Sequence, residues 1–489
     1  MQNKYSLFIG GRWIESSQQE RFPAINPYTQ EEWASIPQAS EEQVADAIVA
    51  ARKAFGTWRK TSGLERGRLL NKLADLLADD AERMGNLEST DNGKIIRETR
   101  HQMTFCARQY RFHAGFADKL WGKSIPLDQR DVLDYTVREP LGVVVLVTAW
   151  NSPMVLLSNK LAPALAAGNC VVIKPSEHAS ASTLEFARMV EMAGFPAGVV
   201  NVVTGDARVG KALLNSGRIN RVSFTGSPGV GAEIAANAGR NLVPVTLELG
   251  GKSPNIIFDD ADLPKAVNGA LAGIFAATGQ TCIAGSRLLV QRPVYAEVVD
   301  KLVERAKKIK LGNPVDKATE MGTVANEPQF RRILQMIDKA KGEGASLAAG
   351  GGRAGGAELA KGLFVEPTIF VDVQNDMSIA QEEVFGPVLS IIPFDTEEEA
   401  IEISNTTRFG LAAGVWTTNI SRALRVSREI DTGVVWINTY RVSAAQAPFG
   451  GVKDSGFGRE RGDVALDEFT SVKNIMVDFS NADRDPFAV

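Results

Sequence analysis

Cysteine is scarce. Cys106, Cys170 and Cys282 are the whole complement of a 489-residue chain. Three scattered thiols exclude a disulfide framework and a CxxC metal site, and an odd count fits a reducing compartment. Histidine is as rare, with only His101, His113 and His178. None shares a motif with a cysteine, which argues against a hydrolase built on a Cys–His pair. Neither charge sign is in excess: 54 Lys+Arg stand against 58 Asp+Glu, a net charge of −4. That excludes the strong basic field of a nucleic-acid binder. No apolar run reaches the ~20 residues that cross a bilayer. The longest, Leu141 to Trp150, is broken by Gly142 and Thr148. The opening segment has no apolar stretch before a small-residue cleavage site. These absences predict a cytoplasmic protein that engages neither membrane nor nucleic acid and binds no metal.

What is present is ordinary globular material, 44% hydrophobic and 23% charged, enough for roughly three domains at ~150 residues each. Leu-Phe-Ile and Arg-Trp-Ile around Gly10-Gly11 read as a hairpin. Ser40-Glu41-Glu42-Gln43 is a capping box ahead of a helix whose apolar face is Val44, Ala47, Ile48, Ala51, Phe55 and Trp58. Further helices are predicted over Glu65–Met84 and Arg97–Trp121, so the opening third reads as helical. From Val143 the rhythm changes. Apolar, β-branched runs at Val143–Val147, Cys170–Ile173, Val199–Val203 and Arg221–Phe224 alternate with helical stretches. Repeated βαβ units imply a parallel sheet covered on both faces. The alternation restarts after Gly250-Gly251 with Asn255–Phe258 and runs to about Asn438. The predicted fold class is therefore α/β, with two doubly wound parallel-sheet domains. Residues 122–140 and Thr470–Phe479 read as strands outside both.

Several residues could carry chemistry. Cys282 lies in Gly279-Gln280-Thr281-Cys282-Ile283-Ala284-Gly285. A lone cysteine is most often a small buried hydrophobe, but flanking glycines suit a loop that a ligand approaches closely, where a stabilised thiolate is a nucleophile. Glu248 stands between Leu247 and Leu249 at a strand end. Burial there is costly for a carboxylate and raises its pKa towards that of a general base. An exposed edge glutamate is the alternative. Asn151 follows the first buried strand, where ligands bind in open α/β sheets. Its amide could hold an oxyanion, or merely make a turn before Pro153. Gly226-Ser227-Pro228-Gly229-Val230-Gly231 opens a helix and suits a phosphate, although it lacks the GxGxxG spacing. Lys174 and Glu177 could bind ribose hydroxyls or form a solvated pair at a helix start.

In combination these segments resemble the aldehyde dehydrogenase superfamily, in its non-acylating, NAD(P)-dependent branch. The likeness runs in order through Trp150-Asn151, Lys174-Pro175-Ser176-Glu177, Phe224-Thr225-Gly226-Ser227, Leu247–Lys252, Gly279–Cys282, Glu382–Pro387 and Pro448–Gly456. It implies a Rossmann-like cofactor domain (1–121 and 141–249), a catalytic domain (250–456) and an oligomerisation segment (122–140 and 470–489). It makes Cys282 the nucleophile, Glu248 the base and Asn151 the oxyanion donor, with Lys160 as a proton relay or a helix-surface lysine. Trp150, Lys174, Ser176, Glu177, Gly226, Ser227, Gly231, Leu249, Glu383 and Phe385 would hold NAD. Glu177 favours NAD because a carboxylate beside the ribose repels a 2′-phosphate, although NADP use occurs in the family. Ser152, Leu156, Thr281, Ser443 and Phe449 would line the aldehyde tunnel. Small Ser152 and Ser443 suggest a wide or polar one, and Arg441 stands at its mouth, either to attract an anionic tail or as a solvated rim arginine. Ala149 departs from the family's usual Pro. The implied reaction is oxidation of an aldehyde to the acid through a thiohemiacetal and a thioester, in a homodimer or homotetramer. The alternatives are acyl transfer to coenzyme A, which the presence of Glu248 disfavours, and a non-catalytic homologue.

Overall fold

The computed structural model describes residues 3–480 and Phe487. Its first large sheet has eight strands in the order Gly456–Phe457, Val245–Glu248, Arg221–Thr225, Val143–Thr148, Cys170–Pro175, Val200–Val202, Leu7–Ile9 and Arg12–Ile14. The five strands from Val245–Glu248 to Val200–Val202 are parallel. They are buried almost throughout, as strands covered by helices on both faces must be. The Gly10-Gly11 hairpin adds antiparallel strands at one edge.

The second large sheet has seven strands, in the order Ser346–Ala349, Thr368–Val371, Val388–Phe394, Arg287–Gln291, Pro254–Ile257, Ala412–Trp416 and Val434–Ile437. All its pairings are parallel except that of Ser346–Ala349. Cores of Val, Ile, Leu, Phe and Ala flank each sheet. In the first sheet the chain runs outward from Val143–Thr148 in one direction and returns beside it as Arg221–Thr225. The order therefore reverses between those two strands, and a crevice opens at their carboxyl ends. That reversal places Asn151 and Gly226 side by side.

The helical readings hold with shifted ends. The Ser40 cap is present: Ser40 Oγ accepts from Gln43 N and Gln43 Oε1 accepts from Ser40 N, both at 3.2 Å. The predicted helix Glu65–Met84 is two helices, Gly63–Asp79 and Ala81–Asn92, because the backbone leaves the helical region at Asp80 (φ −104, ψ 16). The next, Ile96–Ala114, stops short of Trp121. Past Ala114 the amides of Phe116 and Ala117 reach back only three residues, tightening the turn until it ends. The sequence reading missed a three-stranded sheet of Asn3–Lys4, Arg21–Ile25 and Glu32–Pro37 in the supposedly helical opening third. Pro23, within the middle of these in sequence, masks it, since proline is confined to sheet edges.

A separate ribbon joins Thr470–Asp478 antiparallel to Val132–Pro140 along nine paired residues, with Ser124–Ile125 on its other side. The remainder of the predicted C-terminal segment, 481–486 and 488–489, lies outside the described residues. Two short residues matter more than their length suggests. Gly456–Phe457 leaves the second unit and pairs antiparallel with Leu247 and Glu248. Gly456 has φ +113, and a Cβ there would stand 1.9 Å from Leu247 O. Gly456→Val is therefore expected to destabilise the fold by about 1–3 kcal/mol, read as a lower unfolding midpoint, and to lower kcat because Glu248 is displaced.

Candidate active site

Cys282 owes its position to a helix that breaks. Leu263–Phe275 runs into a short turn in which Ala277 (φ 54) and Thr278 (φ 56) are left-handed. Such conformations cost of order 1–3 kcal/mol each and gather at functional sites. Gly279 follows with φ +68, its missing side chain leaving room for Gly386 O. Gln280 anchors what comes next: Nε2 donates to Thr323 O at 3.3 Å and Oε1 accepts from Ala325 N at 3.0 Å. Its carbonyl accepts from Asn151 Nδ2 at 2.9 Å. The side-chain amide from the end of the first sheet is thus tied to the loop that bears the thiol. Asn151 is further held through its own carbonyl, which accepts from buried Lys94 Nζ at 2.5 Å.

Cys282 is half-buried and unpaired. Burial, with Glu383 and Glu248 nearby, pushes its thiol up to about 12, against the opposing pull of Arg461. Glu248 is 3% exposed and so is not an exposed edge glutamate. Neither carboxylate oxygen has a hydrogen-bond partner in the protein. Burial holds its pKa well above the usual carboxylate range, the charge of Glu460 adds to this, and Lys160, Arg459 and Arg461 oppose it. Lys160 is not the helix-surface lysine allowed for above. It is fully buried, ion-paired with Glu460, and donates to Ser223 Oγ at 3.1 Å. Glu460 also accepts from Asn159 Nδ2 at 3.2 Å. A closed pair of opposite charge therefore sits beside the base.

Two cavities form a continuous groove at the reversal of the first sheet, of about 660 Å³ and about 790 Å³, sharing Ala149, Trp150, Thr225, Gly226 and Ser227. The smaller contains Lys174, Ser176, Glu177 and His178; the larger contains Leu249, Glu383, Phe385 and Cys282. Ser227 caps the helix Pro228–Arg240, its Oγ accepting from Val230 N at 3.5 Å and its carbonyl from Gly231 N at 2.9 Å, so the helix start faces the groove through Ser227, Pro228 and Gly229. Lys174 is buried, and its Nζ stays 3.8 Å from Glu177 while donating to Pro175 O at 3.2 Å. An amine with donors to spare, a carboxylate and a helix start suit a ribose and a pyrophosphate. Gly231 differs from its predicted place. It lies outside the groove wall, on the buried face of the helix, where a Cβ would stand 2.6 Å from Leu249 Cδ2. Phe385 is left-handed (φ 54), with its ring 5.2 Å from that of Trp150, edge to face. Glu383 Oε1 accepts from Gly251 N at 3.0 Å, and burial raises its carboxyl to about 7.

A third cavity, of about 700 Å³, approaches Cys282 from the opposite side. Ser152, Leu156, Thr281, Ser443 and Phe449 all line it, with Arg441. The nucleotide groove and this tunnel have only Asn151, Leu156 and Cys282 in common. Sequence reasoning missed Arg461 in the tunnel wall, Glu460 opposite Lys160, Gln280 behind Asn151, and Gln329 and Arg332 in the groove. Gly458-Arg459-Glu460-Arg461 carried a weak signal, since two arginines around one glutamate follow directly on the glycine-rich segment.

The sequence model described as the aldehyde dehydrogenase family matches residues 13–475. Among curated relatives, a (Z)-2-((N-methylformamido)methylene)-5-hydroxybutyrolactone dehydrogenase of Acinetobacter baylyi is 45% identical over 491 residues, 99% of each chain. A betaine aldehyde dehydrogenase of Bacillus subtilis is 44% identical over 96% of each. Among solved structures, a betaine aldehyde dehydrogenase of Staphylococcus aureus in complex with NAD+ superposes with a TM-score of 0.97 at 40% identity over 99% of both chains. An aldehyde dehydrogenase of Bacillus cereus gives 0.96 at 44% identity, over 98% of this chain and 97% of that one. A doubly wound cofactor fold opening on a cysteine tunnel defines an NAD-dependent oxidoreductase. The chain belongs to the aldehyde dehydrogenase family, and its activity is NAD-dependent oxidation of an aldehyde.

A thiol raised to about 12 is protonated at neutral pH in the cofactor-free protein. Alkylation of Cys282 by iodoacetamide without NAD should therefore climb about tenfold per pH unit from about pH 7 to about pH 10. A plateau below pH 9 contradicts the raised thiol.

Proposed function

We propose that Cys282, Glu248 and Asn151 carry the oxidation in distinct roles. The observation that carries this reading is that the half-buried thiol forms part of both the nucleotide groove and a separate tunnel. An aldehyde entering the tunnel meets sulfur on one side, with a cofactor groove on the other. The Cys282 thiolate adds to the carbonyl carbon, and the carbon becomes a tetrahedral thiohemiacetal. The free N–H of the Asn151 amide stabilises its oxyanion. Such a donor contributes about 2.7–4 kcal/mol to lowering a barrier. When bound in the groove, the nicotinamide supplies the hydride acceptor. Lys174 and Glu177 hold the adenosine ribose, Gly226 and Ser227 approach the pyrophosphate, and Glu383 and Phe385 orient the far ribose and ring.

The resulting acyl group is a thioester on Cys282. Glu248 is buried without a partner and its pKa is raised, which suits a base that takes a proton from water near neutral pH. Hydroxide delivery cleaves the thioester to the acid and frees the thiol. The Lys160–Glu460 pair is a positioning element: its net charge is near zero, so it gives Glu248 a polar neighbour without a fixed strong field. It also gives a proton a buried path towards Ser223.

Residues 1–121 and 141–249 serve as the cofactor unit, 250–456 as the catalytic unit, and the ribbon as the assembly element. On the ribbon Val472, Met476, Val477 and Leu133 are exposed, with Phe479 beside them. A row of apolar side chains on a two-sided edge is usually covered by another chain, and this supports a homodimer or homotetramer. Among the described residues no helix is long and apolar enough to cross a membrane. Three unpaired thiols are consistent with a cytoplasmic setting.

The direct test is formation of reduced nicotinamide, followed by absorbance, with aliphatic, aromatic and charged aldehydes. Cys282→Ser should abolish it while NAD binding, measured by calorimetry, persists; substantial oxidation by that variant would overturn the mechanism. Glu248→Gln should cut turnover by about 10²–10⁴ and leave an acyl group on Cys282, visible as an added mass on the intact protein. If the variant turns over freely and no adduct builds up, the base lies elsewhere.

A further inference from the structure

The tunnel wall holds two arginines whose hydrogen bonds go to neutral groups. Arg441 Nη1 donates to the carbonyl of Ala272 at 3.2 Å. Arg461 donates through Nε to Asn159 Oδ1 at 3.1 Å and through Nη1 to Ser443 Oγ. Both arginines line the cavity that reaches Cys282. Among the described lining residues the only carboxylate is Glu98, and it is committed elsewhere: Oε1 accepts from Ala277 N at 3.0 Å and Oε2 is closed off from solvent. With two arginines against one carboxylate, the tunnel wall carries net positive charge that acts on a ligand entering the cavity.

Two of the three described aromatic rings that line the same tunnel, those of Phe105 and Phe449 but not that of Trp436, are already taken. The Arg461 guanidinium carbon lies 4.7 Å from the ring centre of Phe449 and 5.1 Å from that of Phe105. Rings at such spacing are what a quaternary ammonium group needs, since it binds within about 6 Å of an aromatic face. Here an internal cation occupies that place and would repel a second one. The N–H edge that Arg461 leaves unused points to a planar monoanion, because a guanidinium fork matches a carboxylate in geometry as well as charge. Betaine aldehyde dehydrogenases are among the relatives, yet this tunnel has the charge opposite to the one a cationic aldehyde calls for.

We infer that the substrate is an aldehyde with a carboxylate at its far end, and that Arg461, assisted by Arg441, is the residue that selects it. The inference rests on the proposed function, since it assumes that the tunnel admits the aldehyde. Arg461 keeps its place through Asn159 and Ser443, so the small Ser443 has a reason beyond width: it gives the guanidinium an anchor. Glu460, the chain neighbour of Arg461, acts on it through space but is ion-paired with Lys160, so the hydrogen bonds of the guanidinium stay with neutral groups.

The experiment uses two matched pairs of aldehydes with the full-length protein and NAD. Succinic semialdehyde is compared with methyl 4-oxobutanoate, its ester, and betaine aldehyde with 3,3-dimethylbutanal, its uncharged isostere. The wild-type protein should show kcat/KM at least about tenfold higher for the acid than for the ester. It should also turn over the cation at least about tenfold worse than its isostere. In Arg461→Met both ratios should shrink by about tenfold, mainly through KM, with Arg461→Lys keeping part of the preference for the acid. If Arg461→Met does not fold, Arg441→Met and a salt titration of the wild type replace it: KM for the acid should rise with ionic strength and KM for the ester should not. Equal kcat/KM within each pair, or ratios unchanged by either arginine substitution, would overturn the inference while leaving aldehyde oxidation intact. Failure of the wild type on all four aldehydes would instead strike at the proposed function.

Discussion

Everything in the site hangs on one buried hydroxyl. Ser455 Oγ donates to Gly250 O at 2.7 Å and accepts from Gly410 N at 3.0 Å, while its carbonyl takes Leu249 N at 3.0 Å. These bonds tie the end of the strand that bears Glu248 to Phe409–Gly410, a short strand that leads into Ala412–Trp416 of the second sheet. Next in sequence, Gly456 and Phe457 complete the stitch by joining the first sheet outright. Two sheets that could otherwise slide are locked at the place where the base, the thiol loop and the cofactor groove must register. Catalytic side chains need placement to within a fraction of an ångström, and a seam built from backbone pairing and a fully buried hydroxyl supplies it.

The electrostatics of the site follow from the same enclosure. Burial raises Cys282, Glu248 and Glu383 together, because each would place negative charge in a poorly solvated space already shared with the others. In the cofactor-free protein the thiol is therefore held protonated at neutral pH. Such an arrangement protects a thiol that would otherwise be open to oxidation. It also makes the cationic neighbours of Glu248, Lys160, Arg459 and Arg461, the levers that tune how much charge the cluster tolerates.

Much of this was legible in the sequence. Continuous apolar runs announced buried parallel strands, and Glu248 between two leucines announced a carboxylate in an apolar setting. Cys282 between glycines announced a loop open to close approach. These are local signals, in which neighbouring residues carry the physics. What escaped was non-local. Arg461 and Phe105 are far apart in the chain, as are Lys160 and Glu460, and no periodicity marks such pairs. Gly231 was given to the cofactor by the resemblance alone, whereas here its small size makes room for Leu249. The early three-stranded sheet escaped because its strands are short, carry Pro23 and lie in a stretch dominated by strong helix formers.

The groove and the tunnel meet at Asn151, Leu156 and Cys282 and nowhere else. The nucleotide groove is thereby largely separate from the walls that choose what is oxidised. Drift in the tunnel wall can retarget the enzyme one side chain at a time without reopening the redox half of the problem. A fold arranged this way is a chassis: one redox engine, with an intake whose walls are largely its own.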